Sequence, residues 1–301
     1  MSNDVNNKSF GWVRELPDFR DYSPEHAIVT QHLSRIKAAH HTTKGAPPQL
    51  PTTVDLRAWF SPIEDQGPIG SCTANAVVGA LEYYERRAFG KHIDASRLFL
   101  YKVSRNLLHW SGDTGAYLRT TIKALTLFGA PPEEYWKYDT GEGDTGPKYD
   151  IEPGPFQYSF AANYKAIQYY RLDTVGLPKP DLLLRIKAYL NAGLPPFFGF
   201  TVYSSYGQAQ STGKFPFPVA GEKIAGGHAV VAVGYDDNLV ITNAATGAQP
   251  TTGALLIRNS WGTGWGAAGY GWLPYAYIQY GLAVDWWALF KADWINTGAF
   301  D

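Results

Sequence analysis

Helical and strand patterns are segregated along this chain, helices first and strands later, and that order predicts an α+β fold with two distinct halves. Cys72–Phe89 carries Ala76, Val77, Ala80, Leu81 and Tyr84 on one face, with Gly90 where a C-terminal cap belongs, and predicts a long helix. A second helical pattern covers Leu118–Phe128 and stops at Gly129 and Pro131-Pro132. Residues 140–156, rich in Gly, Pro and Asp, predict a long loop. Beyond them come a strand over 164–170 and a short helix over 181–191 closed by Gly193-Leu194-Pro195-Pro196. Four short β-branched or aromatic runs separated by glycines follow, at 197–202, 228–235, 254–258 and 270–273, and predict strands.

The first 49 residues differ in character. Residues 1–15 are polar apart from Phe10-Gly11-Trp12-Val13, and Leu16–Pro24 has ordered-loop chemistry. Ile28, Val29, Leu33 and Ile36 fall loosely at helical spacing within 25–39. The breaker-rich stretch 40–49 then marks a linker, dividing an N-terminal extension (1–49) from a main domain (50–301). Its adjacent His40 and His41 have no further ligand at metal-binding spacing and read as solvated linker. Trp12, Val13, Leu16 and Phe19 offer apolar surface with which the extension would dock on the body.

Charge excludes some partners. With 26 Lys plus Arg against 27 Asp plus Glu, there is no electrostatic drive towards nucleic acid or an anionic membrane. No apolar run approaches the roughly 20 residues of a membrane span, and the start carries no stretch of signal-peptide length, leaving the compartment open between cytoplasm and secretion by another route. A hydrophobic content of 45% suffices for a sizeable core. The single cysteine excludes an intrachain disulfide and a multi-thiolate metal site, so packing must hold the fold, and no cofactor is called for.

That cysteine stands where chemistry is favoured. Gln66-Gly67-Pro68-Ile69-Gly70-Ser71-Cys72 places a thiol at the positive end of a helix dipole, and a neighbouring imidazolium would lower its pKa further. Free backbone N–H groups there, with the Gln66 side chain, can bind an oxyanion. Gly226-Gly227-His228 sets a histidine at the mouth of an apolar strand, and Arg258-Asn259-Ser260-Trp261 follows another. A lone cysteine in an apolar helix is otherwise a small core residue; the combination favours nucleophilic catalysis.

Together, Gln66, the Gly-Ser-Cys run, the His-Ala-Val run leading to Val-Gly-Tyr, and Asn-Ser-Trp-Gly-Thr-Gly-Trp-Gly resemble the papain family of cysteine peptidases. Pro51–Arg57 also resembles the start of a mature domain of that family, so the resemblance runs from about residue 50 past Tyr270. It implies a two-lobed papain-like fold and amide hydrolysis through a thioester acyl-enzyme, acting on peptides or proteins. It makes Cys72 the nucleophile, His228 the base and acid, Asn259 the group orienting the imidazole and Gln66 an oxyanion donor. Ser71 would support the site, and Trp261 would cover the imidazole. Two rival readings use the same residues or fold, an acyl transferase and a non-catalytic binding module; the intact set of four argues against the second.

Departures matter too. Ile69 stands where many relatives have a disulfide cysteine, and Thr73 where they have tryptophan, a pattern resembling the disulfide-free bacterial branch. Cys72 to His228 spans 156 positions, more than the roughly 130 to 150 of the best-known members. Insertions therefore fall around 140–156 and 204–224. Ser111–Tyr117 resembles the family's glycine loop, with Gly115 the expected backbone contact to an extended substrate. Ala116, Tyr117, Ala225, Gly226, Gly227 and Ala229 would line the neighbouring side-chain pocket, and with no acid among them an apolar preference follows. A monomer, open to a protein inhibitor, is expected, with the extension restricting access to Cys72 as a zymogen segment would.

Overall fold

The structure is a computed structural model describing residues 8–33, 50–143, 146–292 and 295–296. In chain order the elements are α1 (Ala27–Leu33), β1 (Thr53–Asp55), α2 (Cys72–Phe89), α3 (Arg97–Leu108), α4 (Leu118–Phe128), β2 (Glu142–Gly143), β3 (Gly146–Pro147), α5 (Pro155–Ala161), β4 (Ala166–Arg171), α6 (Lys179–Asn191), β5 (Phe197–Tyr203), β6 (Ile224–Ile241), β7 (Thr251–Arg258), β8 (Tyr270–Pro274), α7 (Ala276–Gln279), β9 (Ala283–Ala292) and β10 (Ile295–Asn296). One lobe is helical, built on α2, α3 and α4; the other is an antiparallel sheet of order β10-β9-β5-β6-β7-β8, with β1 paired to β6 and β4 to β9. This is the two-lobed α+β arrangement that segregated patterning implies.

α2 joins the lobes. Its residues from Cys72 to Glu85 are all buried, because α3 and α4 pack on one side and β6 on the other. A helix enclosed on both sides needs small or apolar residues around most of its circumference, which CTANAVVGAL supplies. Gly90 ends it in the left-handed conformation, φ 69°, its N–H returning to the Arg86 carbonyl.

Expected and observed elements differ where charge is buried. α3 shows no clean apolar stripe because Arg97, Lys102 and Arg105 lie on buried positions. Arg97 is held by Glu64 and Glu133, and Arg105 by Asp150 at 2.6 Å. Ser96 caps α3, its hydroxyl accepting from the Phe99 N–H. The 140–156 segment holds more order than a loop: the β2–β3 hairpin, a 3-10 turn over Lys148–Asp150 and the start of α5. The helix expected over 25–39 is described from Ala27 to Leu33, while 40–49, with its two histidines, lies outside the described residues. Of the extension's apolar residues Trp12 is buried, whereas Leu16 and Phe19 are 72% and 96% exposed and do not dock. The prolines and the Asp18–Arg20 pair turn that stretch outward into a polar bend.

Arg105 is fully buried and also donates to the carbonyls of Gly112 and Tyr149, tying the 109–117 loop to the helical lobe. Replacing it with Met removes three charge-assisted bonds and leaves the partly exposed Asp150 without Arg105, holding the Gly112 N–H. Arg105→Met is expected to lower stability by about 2–3 kcal/mol, measured by chemical denaturation.

Candidate active site

The site forms where the N-terminus of α2 meets one end of the sheet. Val231 pairs with Arg258 between β6 and β7, so Asn259, one residue beyond β7, falls at the same sheet end as His228. His228 Nε2 and Asn259 Oδ1 are 2.8 Å apart. The same Oδ1 accepts the Ser260 N–H at 2.8 Å. A shared acceptor requires Nε2 to carry the proton, and Nδ1 is left with a lone pair and no hydrogen-bond partner. Trp261 stacks on the imidazole, centroids 4.7 Å apart and planes at 29°, and is almost wholly buried.

Cys72 is fully buried, and the nearby backbone N–H groups of Ala229, Gly11 and Thr73 offset only part of what burial does to its thiol. Ala229 adjoins His228, which places the thiol against the histidine strand. Ser71, immediately before it, binds Tyr138 Oη at 2.5 Å and accepts from Asn75 Nδ2, bracing the first turn. Gln66 donates through Nε2 to the carbonyls of Ile69 and Ser9, at 2.9 and 3.0 Å. Its Oε1 accepts from the Ser260 hydroxyl at 2.6 Å, which fixes which end of the amide faces the cleft.

Residues 8–13 run through this cleft as a strap. The Gly11 carbonyl accepts from the Ala116 N–H at 2.8 Å, Val13 N–H donates to the Ala116 carbonyl at 3.2 Å, and Trp12 N–H donates to the Gly227 carbonyl at 3.0 Å. Two close approaches demand glycine: a Cβ on Gly11 would lie 1.7 Å from the Gly70 carbonyl oxygen, and one on Gly115, at φ +72°, 2.2 Å from the Gly11 oxygen. Lys8 pairs with Asp65 at 2.5 Å, and Arg119 pairs with Glu15 and Asp21 on the strap.

Several expectations shift with these contacts. Ala116, not Gly115, presents the hydrogen-bonding edge, while the Gly115 N–H is spent on Tyr101 Oη. Gly115 supplies clearance. Tyr117 packs its ring on Trp110 at 5.3 Å, and Gly226 approaches Phe10. The strap meets one buried acid: Trp12 Nε1 donates at 3.0 Å to Asp285, which also pairs with Arg171. Asp285 lies far along the chain from the loop and strand that carried the pocket prediction, so local sequence could not reveal it. The dipole argument for a ready thiolate is also outweighed here. Burial pushes the Cys72 thiol up to about 11 and His228 down to about 4, so both are neutral under the strap. Asp113 and Ser260 escaped the motif argument; Asp113 accepts the Gly70 N–H and the Tyr101 hydroxyl, joining the turn before Cys72 to the 111–117 loop.

A cysteine at a helix start, a histidine whose Nε2 is held by an asparagine, and an amide donor, gathered at one cleft, are residue types able to support thiol-dependent acyl transfer. The chain belongs to the papain family of cysteine proteases: residues 50–285 match the family described as papain family cysteine protease. It is a cysteine peptidase, a hydrolase, acting on protein or peptide substrates. An uncharacterized peptidase C1-like protein of Acanthamoeba polyphaga mimivirus is 31% identical, covering 96% of this chain and 89% of its own. Chicken (Gallus gallus) cathepsin K is 31% identical over 74% of this chain, which spans 58% of that relative's length. The crystal structure of xylellain, a cysteine protease from Xylella fastidiosa, superposes with a TM-score of 0.72 at 32% identity, covering 94% of this chain and 96% of that one.

A thiol held up by burial contains little thiolate at neutral pH, and thiolate is the reactive form. Alkylation of Cys72 by iodoacetamide in the full chain is therefore expected to be slow at pH 7 and to rise steadily beyond pH 9. Fast alkylation at pH 7 that is flat with pH would show a thiolate preformed beneath the strap.

Proposed function

We propose that this chain is a cysteine endopeptidase made in an occluded, zymogen-like form, with residues 1–49 acting as a covering extension of the 50–301 peptidase domain. Cys72 attacks the scissile carbonyl, and the proton taken by His228 Nδ1 passes to the leaving amine. Asn259 holds the imidazole so that Nδ1 faces the sulfur, while Gln66 Nε2 and the Cys72 N–H stabilise the oxyanion. Water then releases the thioester, with His228 as base. The observation that supports this reading is the His228–Asn259 bond, in which Nε2 donates and Nδ1 keeps a lone pair without a partner.

The occlusion rests on the strap's occupancy of the groups that substrate would need. Ser9 takes the Gln66 donor, Gly11 the Ala116 N–H, and Trp12 the Gly227 carbonyl. Water is excluded from Cys72 and His228 together, and that exclusion also holds them neutral. Displacement of the strap restores solvation and with it the thiolate–imidazolium pair.

Peptide turnover by full-length Gly11→Val tests the cover. A side chain at this position collides with the Gly70 backbone, so turnover is expected to rise by at least about tenfold, equivalent to roughly 1.4 kcal/mol of lost strap docking. Unchanged turnover in a folded variant would remove the occluding role. On that released background, Cys72→Ala is expected to abolish hydrolysis, and Asn259→Ala to retain more activity than His228→Ala, because a misoriented base still acts part of the time. Equal loss in two folded variants would give Asn259 a role beyond orientation.

A further inference from the structure

The strap carries two aromatic anchors. Gly11, which packs on the Gly70 backbone two residues before Cys72, separates Phe10 from Trp12. In extended chain, residues two apart project to the same side about 6.5–7 Å from one another. One anchor therefore falls on each side of the Gly11–Gly70 contact that leads into Cys72. Trp12 lies along the backbone edge formed by Ala116 and Gly227. Phe10 lies on the other flank, its ring meeting Tyr206 at 5.3 Å, Trp261 at 6.0 Å and His228 at 6.2 Å, with interplanar angles of 85°, 65° and 77°. These edge-to-face arrangements are the ones that ring quadrupoles favour. Gly226 completes the box, since a Cβ there would come within 2.7 Å of Phe10 Cβ.

Reaction chemistry assigns the flanks. The departing amine must receive its proton from the imidazole, so the part of the cleft walled by the His228 ring and by the indole stacked on it receives the leaving group. The Ala116 edge receives the acyl portion. Tyr206 comes from a 3-10 turn, Ser204–Ala209. Its ring stands 6.4 Å from Trp261 and supplies the wall facing the His228–Trp261 stack.

We infer that Tyr206 is a specificity-determining residue: with Trp261 and the His228 ring it selects peptides bearing an aromatic side chain on the leaving-group side, adjacent to the scissile bond. This rests on Cys72 as nucleophile and His228 as proton donor. The strap crosses the cleft in the opposite chain direction to a substrate, so Phe10 shows that the box takes an aromatic ring and not how a substrate backbone would reach it.

Aminolysis of the acyl-enzyme probes the box directly, because the incoming amine docks where the leaving amine departed. The amine nitrogen bonds to the thioester carbonyl carbon, the C–S bond breaks with its electron pair returning to sulfur, and the amine proton passes to His228. The protein is the full chain with Phe10→Ala and Trp12→Ala, which empties the box and loosens the strap; the acyl donor is a simple peptide ester. Acceptors are L-phenylalaninamide, L-tyrosinamide and L-alaninamide, and the readout is the ratio of aminolysis to hydrolysis. The aromatic amides are expected to partition at least about tenfold better than alaninamide. Adding Tyr206→Ala should reduce that preference to within about threefold, while Tyr206→Phe keeps it. Should Tyr206→Ala not fold, Tyr206→Leu, which retains bulk without the ring, makes the same comparison. Equal partitioning of the three amides, or an aromatic preference unaffected by loss of the ring, overturns the inference. Absence of any acyl-enzyme by intact mass would instead count against the peptidase mechanism. In that event protection of Cys72 from iodoacetamide still decides the box: phenylalaninamide must protect better than alaninamide, and equal protection overturns it.

Discussion

The seating of α2 between the helical layer and the sheet governs every distance in the site. Cys72 belongs to one lobe, His228 and Asn259 to the other, so their registry depends on one interface. Arg258, next to Asn259, crosses it: its guanidinium donates to the Ser61 hydroxyl at 2.9 Å, and that hydroxyl donates to Glu82 of α2 at 2.5 Å. Gly79 makes the crossing feasible, because a Cβ there would stand 2.7 Å from the Arg258 guanidinium. A bond chain thus runs from the asparagine strand to the cysteine helix through buried charge, where each partner is costly to remove singly.

Burial has two consequences at the cleft. It shuts Cys72 and His228 into one dry interior, and under the strap it disfavours their charged forms. Neutral thiol and neutral imidazole are stable neighbours in a dry cleft, whereas the ion pair gains from water and a free helix N-terminus. The strap is held largely by backbone hydrogen bonds and two aromatic rings, with Glu15 and Asp21 clamped by Arg119 farther along. Contacts of this kind need only a backbone edge and room for two rings, and a short segment of chain supplies both.

Legibility followed locality. The Cys72–Phe89 helix, its Gly90 stop, the helix ending at Gly129 and the runs that became β5 to β8 were readable because each rests on apolar periodicity and on glycine's conformational freedom, both local properties. α3 was not, since periodicity treats arginine as solvent-facing while Arg97 and Arg105 are buried against acids distant in sequence. The same holds for Asp285: no spacing rule connects it with Trp12, 273 positions earlier.

By itself the sequence determined the family and the segregation of helices and strands, because motif spacing and residue type encode these directly. Only the tertiary structure decided that Ala116 rather than Gly115 offers the hydrogen-bonding edge, that Ser260 fixes Gln66, that Tyr206 faces the His228–Trp261 stack, and that Phe10 to Trp12 lie across the cysteine. Each of those is a meeting of chain segments far apart in sequence. Such meetings are set by which surfaces exclude water together, a property of the packed whole that no single stretch of residues carries.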